Sequence, residues 1–256
     1  MGKMVFFDVD GTLLNSRNEV PPATVDAILR LKEKDVKVAI ATGRAPFMFE
    51  FIREPLGIDT FVSLNGQYVV VDGRPIFQFK MDPRHIERLL EKGKEKGHPF
   101  VFMSHDRMCA TMNGHSYIKE SMRSINVPEP GYDPEFYKKG PVYQMLLFCE
   151  PGEEKEYEAE FPMFRFLRWH RYALDVMPKG GSKAEGIRRI SEYCRISKSD
   201  IFAFGDGMND IEMLHFAGKG IAMGNAPDIV KRYADYVTKH VDEDGVYHGL
   251  IAAGLL

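Results

Sequence analysis

The stretch Val5-Phe6-Phe7-Asp8-Val9-Asp10-Gly11-Thr12 constrains this chain more than any other. The apolar run from Met4 to Phe7 reads as a strand buried on both faces, because no side alternates to polar residues. It ends on two aspartates spaced i, i+2 and on Gly11, which lets the chain turn sharply. In an extended chain both aspartate side chains point to one side. Two carboxylates so placed repel and desolvate one another, which is costly unless a cation or a reaction uses them. The plain alternative is a strand ending in solvent with aspartates as turn formers. The rest of the chain decides between them.

Asn15 to Pro22 is polar and reads as a loop, followed by an amphipathic helix over Ala23 to Lys34. A second buried strand, Val36 to Ala41, stops at Thr42-Gly43-Arg44. A helix is expected over Pro46 to Leu56, and a third strand, Phe61 to Leu64, ends at Asn65-Gly66. Strand, helix, strand, helix, strand predicts a parallel sheet built by right-handed crossovers. Tyr68-Val71 and Pro75-Phe79 then flank Asp72-Gly73, a hairpin signal.

From about Met81 to Pro178 strict alternation is lost. A helix over Pro83 to Lys96 precedes paired strands near Phe100-Met103 and Met108-Met112. A helix over His115 to Ile125, a loop over Val127 to Pro134, a strand over Val142 to Cys149 and a charged helix over Glu153 to Glu160 follow. Phe164-Trp169 with Tyr172-Met177 reads as a hairpin. Such a mixture predicts an α+β insertion. Alternation resumes at Gly180: Ser182-Lys183-Ala184-Glu185 fits a capping box, and Ile201 to Phe204 is a strand closing on Gly205-Asp206-Gly207-Met208-Asn209-Asp210. A strand at Gly220-Ala222 leads into Gly224-Asn225-Ala226, and Val246 to Leu255 is a last apolar segment. The expectation is a doubly wound α/β core from 1–81 and 179–256, with an inserted α+β cap from 82–178.

With 256 residues, 44% hydrophobic and 28% charged, the chain holds one sizeable domain or two modest ones. Its net charge of −3 exerts no general pull on nucleic acid or anionic membrane. An acid as early as Asp8 and no apolar run near the roughly 18 residues of a membrane span predict neither a secretory leader nor an anchor. Cys109, Cys149 and Cys194 form no CxxC pair, so free, mostly buried thiols in a reducing cytoplasm are expected.

In an open parallel sheet, ligands sit beyond the carboxyl ends of the strands. That rule gathers Asp8, Asp10, Asp206 and Asp210 at one edge, with Thr42-Gly43-Arg44 and Asn65-Gly66 nearby. Four carboxylates together need compensation, and an all-oxygen set points to a hard divalent ion, magnesium fitting best. Lys183 falls in the first turn of its helix, where a cation opposes the macrodipole at a cost of roughly 0.3–1 kcal/mol. An anion clamp justifies that placement, since backbone N–H groups there also favour phosphate. Thr42 and Gly43 add a hydroxyl and a close N–H.

Asp8-Val9-Asp10-Gly11-Thr12, Thr42-Gly43-Arg44, Lys183 and Gly205-Asp206-Gly207-Met208-Asn209-Asp210 resemble, in order and separation, the four motifs of the haloacid dehalogenase-like superfamily. The insertion after Asn65-Gly66 is similar to the cap of its Cof-like branch. The resemblance implies a magnesium-dependent phosphatase acting on small phosphorylated metabolites such as sugar phosphates. Asp8 is then the nucleophile that forms an aspartyl-phosphate, and Asp10 the general acid and base. Magnesium is held by Asp8, the Asp10 carbonyl and Asp206, with Asp210 reaching it through water or orienting Lys183. Thr42, Gly43, Lys183 and Asn209 stabilise phosphate charge, and Arg44 and Asn65 touch substrate or brace the loops. The cap is expected to close over the substrate and exclude water.

Asp10 argues against dehalogenases, which need no proton donor there, and the lack of spans argues against ion pumps. A phosphomannomutase-like mutase stands as the alternative, along with a non-catalytic phosphometabolite binder. Arg165 to Tyr172, the most basic and aromatic cap segment, reads as a hairpin with snorkelling arginines or as a face for sugar or a second phosphate. His105, Arg107 and Tyr143 are further polar cap positions. No nucleic-acid or membrane partner is expected, and the chain should be a monomer or weak homo-oligomer.

Overall fold

The computed structural model describes residues 2–256. In chain order, β1 (Met4–Phe7), α1 (Pro22–Glu33), β2 (Lys37–Ala41), α2 (Glu50–Arg53), β3 (Phe61–Ser63), β4 (Tyr68–Val71) and β5 (Arg74–Gln78) come first. Then follow α3 (Pro83–Lys96), β6 (Phe100–Met103), β7 (Met108–Ala110), α4 (Ser116–Ser124), β8 (Gly131–Tyr132), α5 (Phe136–Lys139), β9 (Gln144–Phe148), α6 (Glu154–Glu160), β10 (Phe164–His170) and β11 (Ala173–Pro178). The last third supplies α7 (Lys183–Cys194), β12 (Ile201–Gly205), α8 (Ile211–Phe216), β13 (Lys219–Ala222), α9 (Asp228–Lys231), β14 (Tyr236–Val237) and α10 (Gly245–Ala252).

Among the described residues, the first sheet runs β14-β13-β12-β1-β2-β3-β4-β5. From β14 to β3 every neighbour is parallel, and β3 pairs antiparallel with β4. The chain winds from β1 to β2 and β3 on one side, then returns through β12 to β13 and β14 on the other. The strand order therefore reverses at β1 and β12, whose carboxyl ends open a crevice. All four residues of β1 are buried, which is why it can lie at the sheet's centre and read as an unbroken apolar run. Met4 and Phe6 face one core layer together with Ala39, Val62, Ile187, Ile190 and Ala203.

A second sheet, β10-β11-β9-β6-β7-β8, has its own core, in which Leu89, Phe102, Leu147, Tyr157 and Val176 pack together. The chain divides into two compact units: 1–44, 49–77 and 182–256 in one, 45–48 and 78–181 in the other. Residues 45–48, 78–81 and 179–181, expected in the core from the sequence, go with the second unit: Met81 is buried in its core with its N–H donating to the Val142 carbonyl, and the Lys179 N–H donates to the Met163 carbonyl. Among the described residues, no helix is long and apolar enough to cross a membrane. Cys109, Cys149 and Cys194 are free thiols.

Two expectations fail locally. The helix expected over Pro46 to Leu56 is a single 3₁₀ turn, Pro46–Met48, followed by α2. Between them Phe49 takes φ −133°, outside the helical range, because its buried ring is set edge-on against Phe61 with centroids 5.3 Å apart. The capping box at Ser182 is half formed. Ser182 Oγ accepts the Glu185 N–H at 3.2 Å, but the Glu185 carboxylate turns to Arg188 and Arg189 instead of returning to the cap.

Candidate active site

Three segments far apart in sequence meet beyond β1 and β12. β1 stops at Phe7 and the backbone turns, so the two aspartates do not share one partner. Asp8 accepts an ion-pair hydrogen bond from Lys183 Nζ at 2.5 Å. Asp10 is gripped by Arg44, Nε to Oδ2 at 2.8 Å and Nη2 to Oδ1 at 2.6 Å. That forked geometry fixes the plane of the Asp10 carboxylate, which a lysine could not do. The Asp10 carboxylate thus stands outside the group of metal-type donors formed by Asp8, Asp206 and Asp210, whose oxygens all lie within 4.8 Å of one another. Arg44 consumed both of its oxygens first.

Lys183 is the first residue of α7 and is 1% exposed, between Asp8 at 6% and Asp210 at 0%. Its ammonium lies 2.5 Å from Asp8 and 2.6 Å from Asp210. Burial opposes its charge, but Asp210 and Asp8 outweigh burial and hold the ammonium above its usual range. Asp210 is fully used: Oδ1 takes Lys183, and Oδ2 accepts the N–H groups of Asp206 and Gly207 at 2.9 and 2.8 Å. It therefore shapes the loop and aims the lysine.

Asp206 is held by groups that the sequence reading left without a role. Thr12 Oγ1 donates to its Oδ1 at 3.1 Å, and Asn225 Nδ2 donates to its Oδ2 at 3.1 Å. Asn225 also donates to the Gly11 carbonyl at 2.8 Å and accepts the Val241 N–H at 3.0 Å. The signal that finds Asn225 is the strand-end rule applied to one more strand, since Gly224-Asn225 follows β13 at the same sheet edge. Gly11, at φ +75°, is obligatory twice over: a Cβ there would collide with the Asp206 carboxylate.

Thr42 is buried and its Oγ1 accepts the Arg44 N–H at 3.1 Å, leaving its hydroxyl proton for another acceptor. Asn65 sits in the left-handed region at φ 51° and accepts from Asn209 Nδ2 at 3.1 Å. A Cβ on Gly43 would stand 3.1 Å from the Asn65 amide, so the three loops pack against one another. Arg44 braces Asp10, and Asn65 braces Gly43 and Asn209.

The electrostatics are unbalanced. Three carboxylates against one ammonium leave two net negative charges when all are ionised. Burial first, then the charges of Asp210, Asp206 and Asp10, push Asp8 well above the ordinary carboxylate range despite Lys183. Burial and Asp210 raise Asp206 to about 7, against the pull of Thr12 and Lys183. An all-oxygen cluster short of two positive charges fits a hard divalent cation.

Residues 5–250 match the sequence model of haloacid dehalogenase-like hydrolases. A Bacillus subtilis (strain 168) protein named "Putative phosphatase YkrA" is 43% identical over 99% of this chain and 98% of its own length. A solved structure of a hypothetical protein from Geobacillus kaustophilus HTA426 superposes with TM-score 0.94 at 50% identity, over 100% of both chains. The structure described as the subclass IIB sugar phosphatase BT4131 superposes with TM-score 0.90 at 31% identity, over 99% of this chain and 100% of that one.

Proposed function

We propose, from the premise that the chain belongs to the haloacid dehalogenase-like hydrolases, that it is a phosphatase cleaving small phosphorylated metabolites through an aspartyl-phosphate. The observation that carries the reading is Lys183, buried between Asp8 and Asp210 with Asp206 beside them. A buried ammonium next to a candidate nucleophile is an electrostatic clamp for incoming phosphate.

Asp8 would attack phosphorus in line while the P–O bond to the leaving alcohol breaks. Asp10, held in plane by Arg44, would have to release one oxygen from that pair to carry a proton to the alcohol, and as a carboxylate would later take one from the hydrolytic water. Thr42, the Gly43 N–H and Lys183 would carry equatorial phosphate charge. Asp8 and Asp206 would hold a divalent cation, magnesium by preference, and the Asp10 carbonyl would complete the protein ligands. When bound, that cation supplies Lewis-acid neutralisation of the phosphate oxygens. Asn225 and Thr12 keep Asp206 in place.

Sugar phosphates are the proposed substrate class, supported by the 31% identical sugar phosphatase. The three free thiols fit a reducing cytoplasm, and we place the protein there. The test is phosphate release from p-nitrophenyl phosphate with magnesium, with EDTA, and in Asp8→Asn. Loss of the nucleophile should lower kcat on the order of 10⁴-fold or more, and unchanged turnover in the variant refutes the assignment. A panel of sugar, nucleotide and vitamin phosphates then ranks the substrates.

A further inference from the structure

The second unit contains another convergence of donor side chains, unrelated to the acids around Lys183. His98 lies between α3 and β6, Cys149 directly follows β9, and Glu153 directly precedes α6. One ligand atom from each, a ring nitrogen, a sulfur and a carboxylate oxygen, falls within 4.8 Å of the other two. Cys149 is 0% exposed and His98 8%. The Glu153 side chain, 48% exposed, reaches in so that Oε2 stands 3.1 Å from His98 Nε2.

We infer that His98, Cys149 and Glu153 form a zinc site in this unit. The donor set decides the metal. A thiolate and an imidazole beside one carboxylate suit zinc, whereas magnesium demands oxygen ligands in an octahedron. Zinc bonds of about 2.0–2.3 Å in a tetrahedron set neighbouring ligand atoms about 3.3–3.8 Å apart. Donors already within 4.8 Å need to close by about 1.5 Å at most. Glu153 Oε2 also accepts the Glu150 N–H at 2.8 Å, which holds the carboxylate beside His98 and leaves Oε1 free to turn toward an ion.

The surroundings match those of a ligating histidine. His98 Nδ1 is 3.0 Å from the Tyr157 hydroxyl, so Nδ1–H can donate there and turn the Nε2 lone pair to the cluster. The charges also close. A thiolate and a carboxylate neutralise one zinc ion, while the Arg168 guanidinium, 3.7 Å from the Cys149 sulfur, is matched by Glu154 at 2.7 Å. On binding, the S–H bond of Cys149 is exchanged for an S–Zn bond and its proton leaves to solvent; no oxidant is required. Three protein ligands leave the fourth position to water. The ion would tie the start of β6, the end of β9 and the start of α6 into one corner.

The test uses the full chain, stripped with a chelator and titrated with cobalt(II). One equivalent should produce a near-ultraviolet thiolate-to-cobalt charge-transfer band that zinc bleaches. The band should persist in Cys109→Ser, Cys194→Ser and Asp8→Asn, and vanish in Cys149→Ser. Glu153→Gln, at an exposed position, should fold normally and weaken cobalt binding at least about tenfold. His98→Gln should do the same. A wild-type protein without the band, or a band that survives Cys149→Ser or is indifferent to Glu153→Gln, overturns the site and leaves a hydrogen-bonded staple only. The Asp8→Asn arm keeps this result separate from the phosphatase reading.

Discussion

Lys183 is where burial and charge are most finely set against each other. Its ammonium bridges two carboxylates in an interior where an unpaired charge is expensive. Lys183→Met removes the cation and leaves Asp8 and Asp210 facing one another, so urea denaturation should report a loss of about 3–5 kcal/mol. Adding Asp210→Asn should recover part of that loss, because the repulsion goes with the charge; strict additivity would show that the pair is not coupled. Asp206 titrates in the opposite sense to a salt-bridged carboxylate. Its folded pKa of about 7 lies above the ordinary 3.8, so between those values the folded state binds the extra proton. Stability of the metal-free protein is then favoured below about pH 4 at this site and lost as pH rises through 7, because the slope follows protons bound in the unfolded minus the folded state. Thermal unfolding in EDTA across that window should show a negative contribution that Asp206→Asn abolishes. A profile that Asp206→Asn leaves unaltered would contradict it.

At the scale of elements, the start of α7 is what places Lys183. Ser182 caps the helix by accepting the Glu185 N–H, and Gly66 lets the turn after β3 pass against the Ser182 carbonyl at φ +90°. Ser182→Ala should cost about 1 kcal/mol of folding free energy. Gly66→Ala should cost more, since its Cβ would strike that carbonyl and the backbone is left-handed there. Chemical denaturation of the two variants ranks them, and an equal or smaller loss for Gly66→Ala would sink the packing argument. The same elements show what a sequence can announce. The β1 run, Asp8, Asp206, Asp210 and Lys183 were legible because buried strands read as apolar runs and their ends as polar turns. Phe49 was not, because its helix break comes from a ring packed on Phe61, a contact that local propensity does not encode. Asn225 was missed for a different reason: its role is to tie the Asp206 carboxylate, 19 residues away, to the Gly11 carbonyl, 214 residues away, a link that no local pattern encodes. Glu185 fitted the capping spacing, yet two arginines one turn on competed for its carboxylate.

For the whole molecule, the two cores share no residue, so each unit can respond to a ligand on its own. Asp8, Asp206, Asp210 and Lys183 all belong to the unit formed by 1–44, 49–77 and 182–256. A divalent cation bound there relieves the excess negative charge and stabilises the state that holds it by RT ln(1 + [L]/Kd), about 2.7 kcal/mol at a hundredfold excess over Kd. Hydrogen exchange makes the response local. Magnesium should slow exchange most in the turns after β1 and β12, where Asp8 and Asp206 sit, and should leave the amides of β6, β9 and β11 unchanged. Zinc, by the reasoning from His98, Cys149 and Glu153, should do the reverse, protecting the start of β6, the end of β9 and the start of α6. Magnesium protection spread evenly over both sheets would mean that the ion acts through general charge screening and not through the acids beyond β1 and β12.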